Sequence, residues 1–426
     1  MKQLGMYVLL LLMAAFGLSA SAQLTPLNEA DYQDSVFTEF VYFGDIDFIS
    51  TANFQQDTFA EDALFLGSRF NGEANFIKTY FKGTAEFNDC QFLTEANFGN
   101  AEFKSLLDFT DTRFDDLADL SYVKADSTTF LRTTFNSEVN LSNAKFDYVN
   151  FSETEFNSDA DFTFVTFNRF ADFSKAEING VIDFSNVVLP NKLDFSYTSG
   201  ISGEIDLTSS TLNKRYDVCY IDLTGAAIEN LRFRYNRFKL WFPDSTDFEL
   251  RSNVYEALLN KQQELGFTHS YEKLDKEYRE FKYINEGGGR LKRMWGHFKN
   301  WVDKNWWGYG YNKELIVMNT LLLYLLFAFI NAFFLKHLTT NVYEAEKINE
   351  YWEETSGSRF NMFLKTIPFS MFYTAQIFFG FKFDVDKLKY KENLQGWKIL
   401  NLVYFIAVFL TGLVCFAYLA NYVVTV

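Results

Sequence analysis

Phenylalanine returns at fixed intervals through the first half of the chain, and the interval restricts what that half can fold into. Phe43, Phe54, Phe65, Phe76, Phe87, Phe98 and Phe109 recur every 11 residues. A second register runs through Phe48, Phe59, Phe70, Phe81, Phe92, Phe103 and Phe114, so steps of five and six alternate. The phase slips near Thr129–Asn140 and resumes at Phe151, Phe162, Phe173, Phe184 and Phe195. Two residues before the first-register position stands a small one: Ala52, Ala63, Ala74, Ala85, Ala96 and, after the slip, Ala160 and Ala171. The residue just before the Phe is polar, as at Asn53, Asn75, Glu86, Asn97 and Asp161. This spacing fits neither the 3.6-residue period of a helix nor the two-residue alternation of a flat strand. It fits a coil that turns a corner every five or six residues. The large residue and its small partner then share one narrow interior.

On these residues the chain resembles the pentapeptide-repeat family in its 11-residue A-(D/N)-F form, over Phe37–Leu223. The resemblance implies a mostly β fold, a right-handed quadrilateral β-helix. Two 11-residue units per coil would give about eight coils, and at ~4.8 Å per strand a rod of roughly 40 Å. Phe54, Phe65, Phe76, Phe87, Phe98, Phe109, Phe162, Phe173 and Phe184 are expected as its structural core, with no ligand role.

Of 51 Phe and only 4 Pro in 426 residues, those not in the repeat crowd the C-terminal third. The formal charge of −16 is unevenly spread. Residues 23–230 hold 13 Lys/Arg and 35 Asp/Glu, giving 13 − 35 = −22, whereas residues 231–313 hold 16 and 11, giving +5. An acidic front half excludes nucleic acid as a partner held through phosphates. Cys90, Cys219 and Cys415 form no CxxC, so neither a disulfide framework nor a zinc site is expected.

The chain opens with Lys2, an apolar run from Met6 to Leu18, and Ala20-Ser21-Ala22 before Gln23. That is the layout of an export signal cleaved between Ala22 and Gln23. Leu315–Leu335 and Ile399–Ala420 are uncharged, and each is long enough to cross a ~30 Å hydrocarbon core. Trp301, Trp306, Trp307 and Trp397 flank them, as headgroup-layer aromatics do. A third apolar stretch, Phe360–Phe381, carries Lys365 and Pro368. Three placements stay open for it: an interfacial or packed helix, a third span, and a re-entrant pore loop.

Between repeat and spans, Asn253–Leu265 and Ser270–Ile284 read as a helical hairpin, ending at Gly266 and at Gly287-Gly288-Gly289. A basic, Trp-rich stretch follows and suits a membrane surface. Tyr255, Leu258, Gly266, Tyr278-Arg279 and the Trp307-Gly308-Tyr309-Gly310 entry to the first span resemble the region after pentapeptide repeats in bacterial proteins that carry an ion-channel-like pore module. That resemblance covers residues 250–426. It implies a pore loop at Ser370 and at Gln376-Ile377-Phe378-Phe379-Gly380. The loop departs from a potassium filter, because Gln376 replaces the threonine and Phe378 the first glycine.

The resulting division is 1–22 signal peptide, 23–230 β-helix, 231–314 amphipathic and juxtamembrane linker, and 315–426 α-helical transmembrane hairpin. No enzyme signature is present. His269, His297 and His337 are scattered, and no Walker or G-x-S-x-G loop occurs. No catalytic residue, metal or cofactor is expected. The expected function is a membrane-anchored, extracytoplasmic structural or interaction scaffold, with the β-helix in the periplasm of a bacterial inner membrane. An oligomeric, ion-channel-like protein with an altered pore is the alternative. Membrane lipid, a second copy of the chain and an unidentified protein are the expected partners.

Overall fold

The computed structural model describes residues 24–200, 203–345, 359–381, 384, 387–388 and 397–424. The cleavage junction Ala22/Gln23 lies outside them. The chain divides into two compact units, Met1–Tyr278 and Arg279–Val426.

The first unit is a β-solenoid of about ten parallel turns. Its strands are mostly two residues long, and most of these short ones begin or end on a residue that points inward. Ala52, Ala74, Ala96 and Ala118 stack in register on one face. Phe48, Phe70, Phe92 and Phe114 stack on another. Two further columns, with Thr58–Phe59 and Ala63–Leu64 as members, complete four faces. Alternation within each short strand puts Ala or Phe inside and Asn, Asp, Thr or Arg outside.

The Phe rings fill the interior as two interleaved sets. Phe87 lies parallel to Phe65 at 4.7 Å between centroids and to Phe109 at 5.1 Å, one coil either way. Phe98 stands edge-on to Phe87 at 5.4 Å and stacks instead on Phe76 at 4.8 Å. Offset stacks and T-shaped pairs are the favoured arrangements of aromatic quadrupoles. Phe54, Phe65, Phe76, Phe87, Phe98, Phe109, Phe162 and Phe173 are fully buried, and Phe184 nearly so. Burying one such ring is worth about 1.5–3 kcal/mol.

Each first-register Phe opens a four-residue turn. The turn from Phe54 to Asp57 closes with a 3.2 Å bond from Asp57 N to Phe54 O and carries Gln56 at φ 60°. Positive φ at the third residue marks a type II turn. The same sign recurs at Lys78, Asp89, Asn100, Asp111 and Tyr122.

The slip in the repeat is a change of coil length. Side chains one coil apart are 22 residues apart at Asn53 and Asp31, but 21 at Asn136 and Asp115. The lost residue comes from one corner. Register shifts between Phe103 and Leu106, where two faces merge into the continuous strand Glu102–Asp108. Lys124–Thr129 and Lys145–Asn150 continue that strand type, and Thr166–Asp172 restores the longer spacing.

Strand pairing runs on beyond Asn230. Cys219–Asp222 pairs with Phe238–Leu240, and at the other end Thr25–Leu27 already pairs with Ile46–Phe48, so the turns number about ten rather than the expected eight. A helical hairpin then covers this end. Helix α1 (Phe248–Glu264) is capped by Asp247, which accepts from Leu250 N at 2.7 Å. Gly266, at φ 67°, turns the chain into α2 (Thr268–Asn285). Side chains of both helices reach the backbone of the last coil. Lys261 Nζ donates to Glu229 O at 2.7 Å, and Gln262 Nε2 to Phe233 O at 3.0 Å. Lys273 Nζ donates to the carbonyls of Tyr235, Asn236 and Phe238. A terminal repeat has no neighbour on one side, and these groups stand in for the missing strand.

The second unit is helical. It holds α3 (Arg290–Trp306), α4 (Glu314–Asn341), α5 (Arg359–Phe378) and α6 (Trp397–Val424). Among the described residues, two helices are long and apolar enough to cross a membrane, Glu314–Asn341 and the Ile399–Ala420 part of α6. Helix α5 packs against both, around a core of Leu335, Leu338, Tyr373, Phe378, Phe405 and Val408.

Candidate functional site

The C-terminal unit concentrates the polar chemistry that an apolar bundle must account for. Asn331 sits in the middle of an apolar run in α4 and is 1% exposed. Its Nδ2 donates to Thr374 Oγ1 of α5 at 2.8 Å, and its Oδ1 accepts from Tyr404 OH of α6 at 2.8 Å. Thr374 Oγ1 in turn donates to Ser370 O at 2.7 Å, and Ser370 Oγ donates to Ala328 O. Tyr324 OH donates to Met371 O at 2.9 Å. One asparagine thus ties three helices together at one level, the way polar side chains join helices in an apolar solvent.

The pore-loop-like residues fall into this arrangement as follows. Ser370 is fully buried in the polar cluster. Gln376 is half-buried in the last turn of α5. Ile377 and Phe378 are 2% exposed and belong to the apolar core. The Phe379 ring lies 5.0 Å from that of Phe378, and Phe379 N still donates to Ala375 O at 3.1 Å. Gly380 is exposed at φ 69° and ends the helix in the left-handed manner of a C-cap. The stretch from Gln376 to Phe378 is therefore helical, with the Phe378 carbonyl against Gly412 of α6. Helices α4 and α6 also enclose an apolar groove of about 490 Å³, lined by Ile330, Phe334, His337, Leu400 and Tyr404.

Sequence reading named Ser370 but missed Asn331, Thr374 and Tyr404. The available signal was Asn331 itself, since an amide inside an apolar span is costly unless bonded.

The solenoid holds a titratable group in an unusual place. Three residues after several first-register Phe residues, a small buried side chain donates to the carbonyl of a Phe one coil away. Ser68 Oγ bonds Phe43 O at 2.6 Å, Thr79 Oγ1 bonds Phe54 O at 2.7 Å, and Cys90 Sγ bonds Phe65 O at 3.0 Å. Thr133 and Thr154 repeat the bond to Phe109 O and Phe130 O. Asp57 occupies this corner in the first such coil. Its Oδ1 accepts from Ser35 N at 2.8 Å, while its Oδ2 is buried with no hydrogen-bond partner among the described residues. Burial pushes its carboxyl up to about 7, helped by the nearby charges of Asp34 and Asp31.

A second acid, half-buried, belongs to the cap itself. Glu277 accepts from Tyr235 OH at 2.9 Å and from Tyr255 OH at 3.1 Å. Burial raises its carboxyl above the usual range, and the two phenols partly offset this. Among the described residues no group of three or more His, Cys, Asp or Glu could hold a metal ion.

Neither the curated proteins nor the solved structures contain a match to this chain. Residues 76–124 match a family model described as pentapeptide repeats (9 copies). Those residues lie wholly inside the stacked coils, so this stretch of the β-solenoid is similar to pentapeptide repeats.

Proposed function

We propose that this chain is a membrane-anchored scaffold that presents an acidic solenoid outside the cytoplasm. One observation carries the anchoring: the two long apolar helices stay apolar on their outer surface. Only 28% of the apolar window of α4 and 22% of that of α6 is buried. Leu321, Leu322, Leu325 and Phe329 of α4 and Leu410, Leu413, Val414 and Phe416 of α6 stand exposed. The core helix of a soluble domain would bury such residues, whereas hydrocarbon accepts them at no cost. The buried face is where Asn331 and its partners meet, as expected for helices that associate in lipid.

The extracytoplasmic side rests on the export signal ending at Ala22. Two crossings would then return Val426 to the side of the solenoid. Phosphatase reporters placed after Asn230, Thr340 and Val426 test this. Activity after Asn230 and Val426, with none after Thr340, is expected. Activity only after Thr340 would sink the orientation. Loss of the protein from membranes on an alkaline carbonate wash would sink the anchoring.

A scaffold role is supported by the solenoid's composition, an acidic segment wrapped on a stacked aromatic core. The oligomeric pore reading draws on the order of α4, α5 and α6, which matches span, re-entrant segment and span. Ion flux through the purified protein in liposomes would favour it. A monomer without flux would favour the scaffold.

A further inference from the structure

Helix α3 has two opposed faces. One is fitted to the rest of its unit. A Cβ on Gly296 would come within 2.2 Å of the Tyr283 carbonyl oxygen, so the helix crosses α2 closely there. Asn300 is buried and accepts from Tyr309 OH at 2.6 Å. Asp303 accepts from Tyr283 OH at 2.7 Å and from Trp307 Nε1 at 3.0 Å.

The other face carries Leu291, Met294, Trp295, Phe298 and Trp301. Their spacing follows the helical period, and every one is more than half exposed. Five large apolar side chains on one uncovered stripe are unusual on a soluble surface. Lys292 and Lys299 flank the stripe on one edge, Arg290 and Lys304 on the other. With Arg293 and the single Asp303, the helix carries 5 − 1 = +4.

Three observations decide what covers the stripe. Only seven residues, 307–313, separate α3 from α4, and they include the tight turn Gly308–Gly310. The end of α3 at Trp306 therefore lies within ~30 Å of the start of a span, and the stripe begins at Trp301, a little over one helical turn back. A cleft of about 240 Å³ between α3 and α4 continues it inward, from Trp301 and Asn305 to Leu322 and Leu326. Trp306 lines the same cleft, and its indole N–H has no hydrogen-bond partner among the described residues. A second copy of α3 on the stripe would bring +4 against +4. An anionic bilayer surface instead offers hydrocarbon for the stripe and phosphates for the cations, whose stems can reach from the apolar boundary to the headgroups.

We propose that α3 is an in-plane helix that docks on an anionic lipid surface, with the Leu291–Trp301 stripe sunk into the acyl boundary. The inference rests on the anchored reading above and adds a lipid preference to it. The three native cysteines are buried, so a single engineered cysteine can carry a nitroxide on the full chain. Labels at Phe298→Cys, Arg293→Cys and Leu322→Cys are compared in nanodiscs of phosphatidylcholine and of phosphatidylcholine with phosphatidylglycerol at 3:1. Accessibility to oxygen and to a water-soluble nickel chelate gives the depth. The label at position 298 should lie below the phosphates in the anionic discs and shallower in the neutral ones, with position 293 aqueous in both. The triple change K292E/R293E/K299E should remove the difference. A position-298 label that is aqueous in both lipids, or equally deep in both, would overturn the proposal. So would spin–spin broadening from a second copy. Position 322 separates the two readings: if it is in hydrocarbon while 298 is aqueous, the docking fails and the anchoring stands. If 322 is aqueous, both fail.

Discussion

Gly412 of α6 lies so close to the Phe378 carbonyl oxygen that a Cβ at this position would sit 1.8 Å from it. The two helices meet backbone to backbone, and only glycine leaves the room. Gly412→Ala should force them apart and cost about 1–3 kcal/mol, the usual range for overpacking. The change should lower the thermal midpoint of the detergent-solubilised protein. Leu413→Ala, at the exposed neighbour, should leave it nearly unchanged. Equal midpoints for the two variants would contradict the close approach.

Phe87 and Phe164 are both phenylalanines of the solenoid with opposite burial. Phe87 is fully buried between Phe65 and Phe109, and Phe87→Ala should cost about 3–5 kcal/mol. Phe164 is 56% exposed and sits at φ 59°. Phe164→Gly should be neutral or gain up to about 1 kcal/mol, because the left-handed region costs a side-chain-bearing residue that much. Denaturant midpoints read from the β-sheet circular dichroism signal test both. Similar losses in the two variants would refute the distinction.

Asp57 should make the stability of the solenoid depend on pH. Its carboxyl is held up to about 7 in the folded chain, against 3.8 ordinarily. Between those values the folded state holds a proton that the unfolded state has released. Stability is then fullest below about pH 4 and falls as pH rises through 7. Asp172 and Asp222, both raised by burial, act in the same direction. Asp57→Thr places a hydroxyl where Ser68 and Thr79 have theirs. It should raise the midpoint at pH 8 and flatten the slope between pH 5 and 8. An unchanged slope would show that Asp57 is not the responsible group.

The hairpin cap should be as important to the solenoid as an internal coil. Lys273→Met removes the side-chain donor that the Tyr235, Asn236 and Phe238 carbonyls of the last turn share. Losing a charged donor from these half-buried and exposed acceptors should cost up to about 1–3 kcal/mol. Limited proteolysis should cut near residues 235–240 in the variant before it cuts the aromatic core. Glu277→Gln keeps an acceptor for Tyr235 and Tyr255 and should be the milder change. Cleavage at the same rate in wild type and Lys273→Met would mean the cap is dispensable.

The solenoid was legible because its period is written in the largest side chain available. Phe54 and Phe76 mark coils as plainly in the sequence as they do in space. The slip near Thr129 was visible, but its origin was not. The residue it removes comes from a solvent-facing corner, where Lys104-Ser105 gives way to shorter links that carry no apolar mark. The last coils escaped for a related reason: Cys219, Ile221, Phe238 and Leu240 fill the interior without the Ala-x-Phe spacing. The two long apolar helices follow from composition alone. The place of Ser370 does not, because its partner Ala328 is 42 residues away and on another helix. Periodicity reports which residues seek shelter, not which polar atoms will face each other once they have found it.

Parallel strands stacked in register invite more of the same, and a solenoid end is an open invitation to a neighbour's backbone. Here one end has been closed by lysine and glutamine side chains already bonded to Glu229, Phe233 and Phe238. A foreign strand arriving there would have to displace charged donors before it could pair. Elongation of rod upon rod through that end is thereby discouraged, so concentrated molecules should stay separate rather than join through it into fibres.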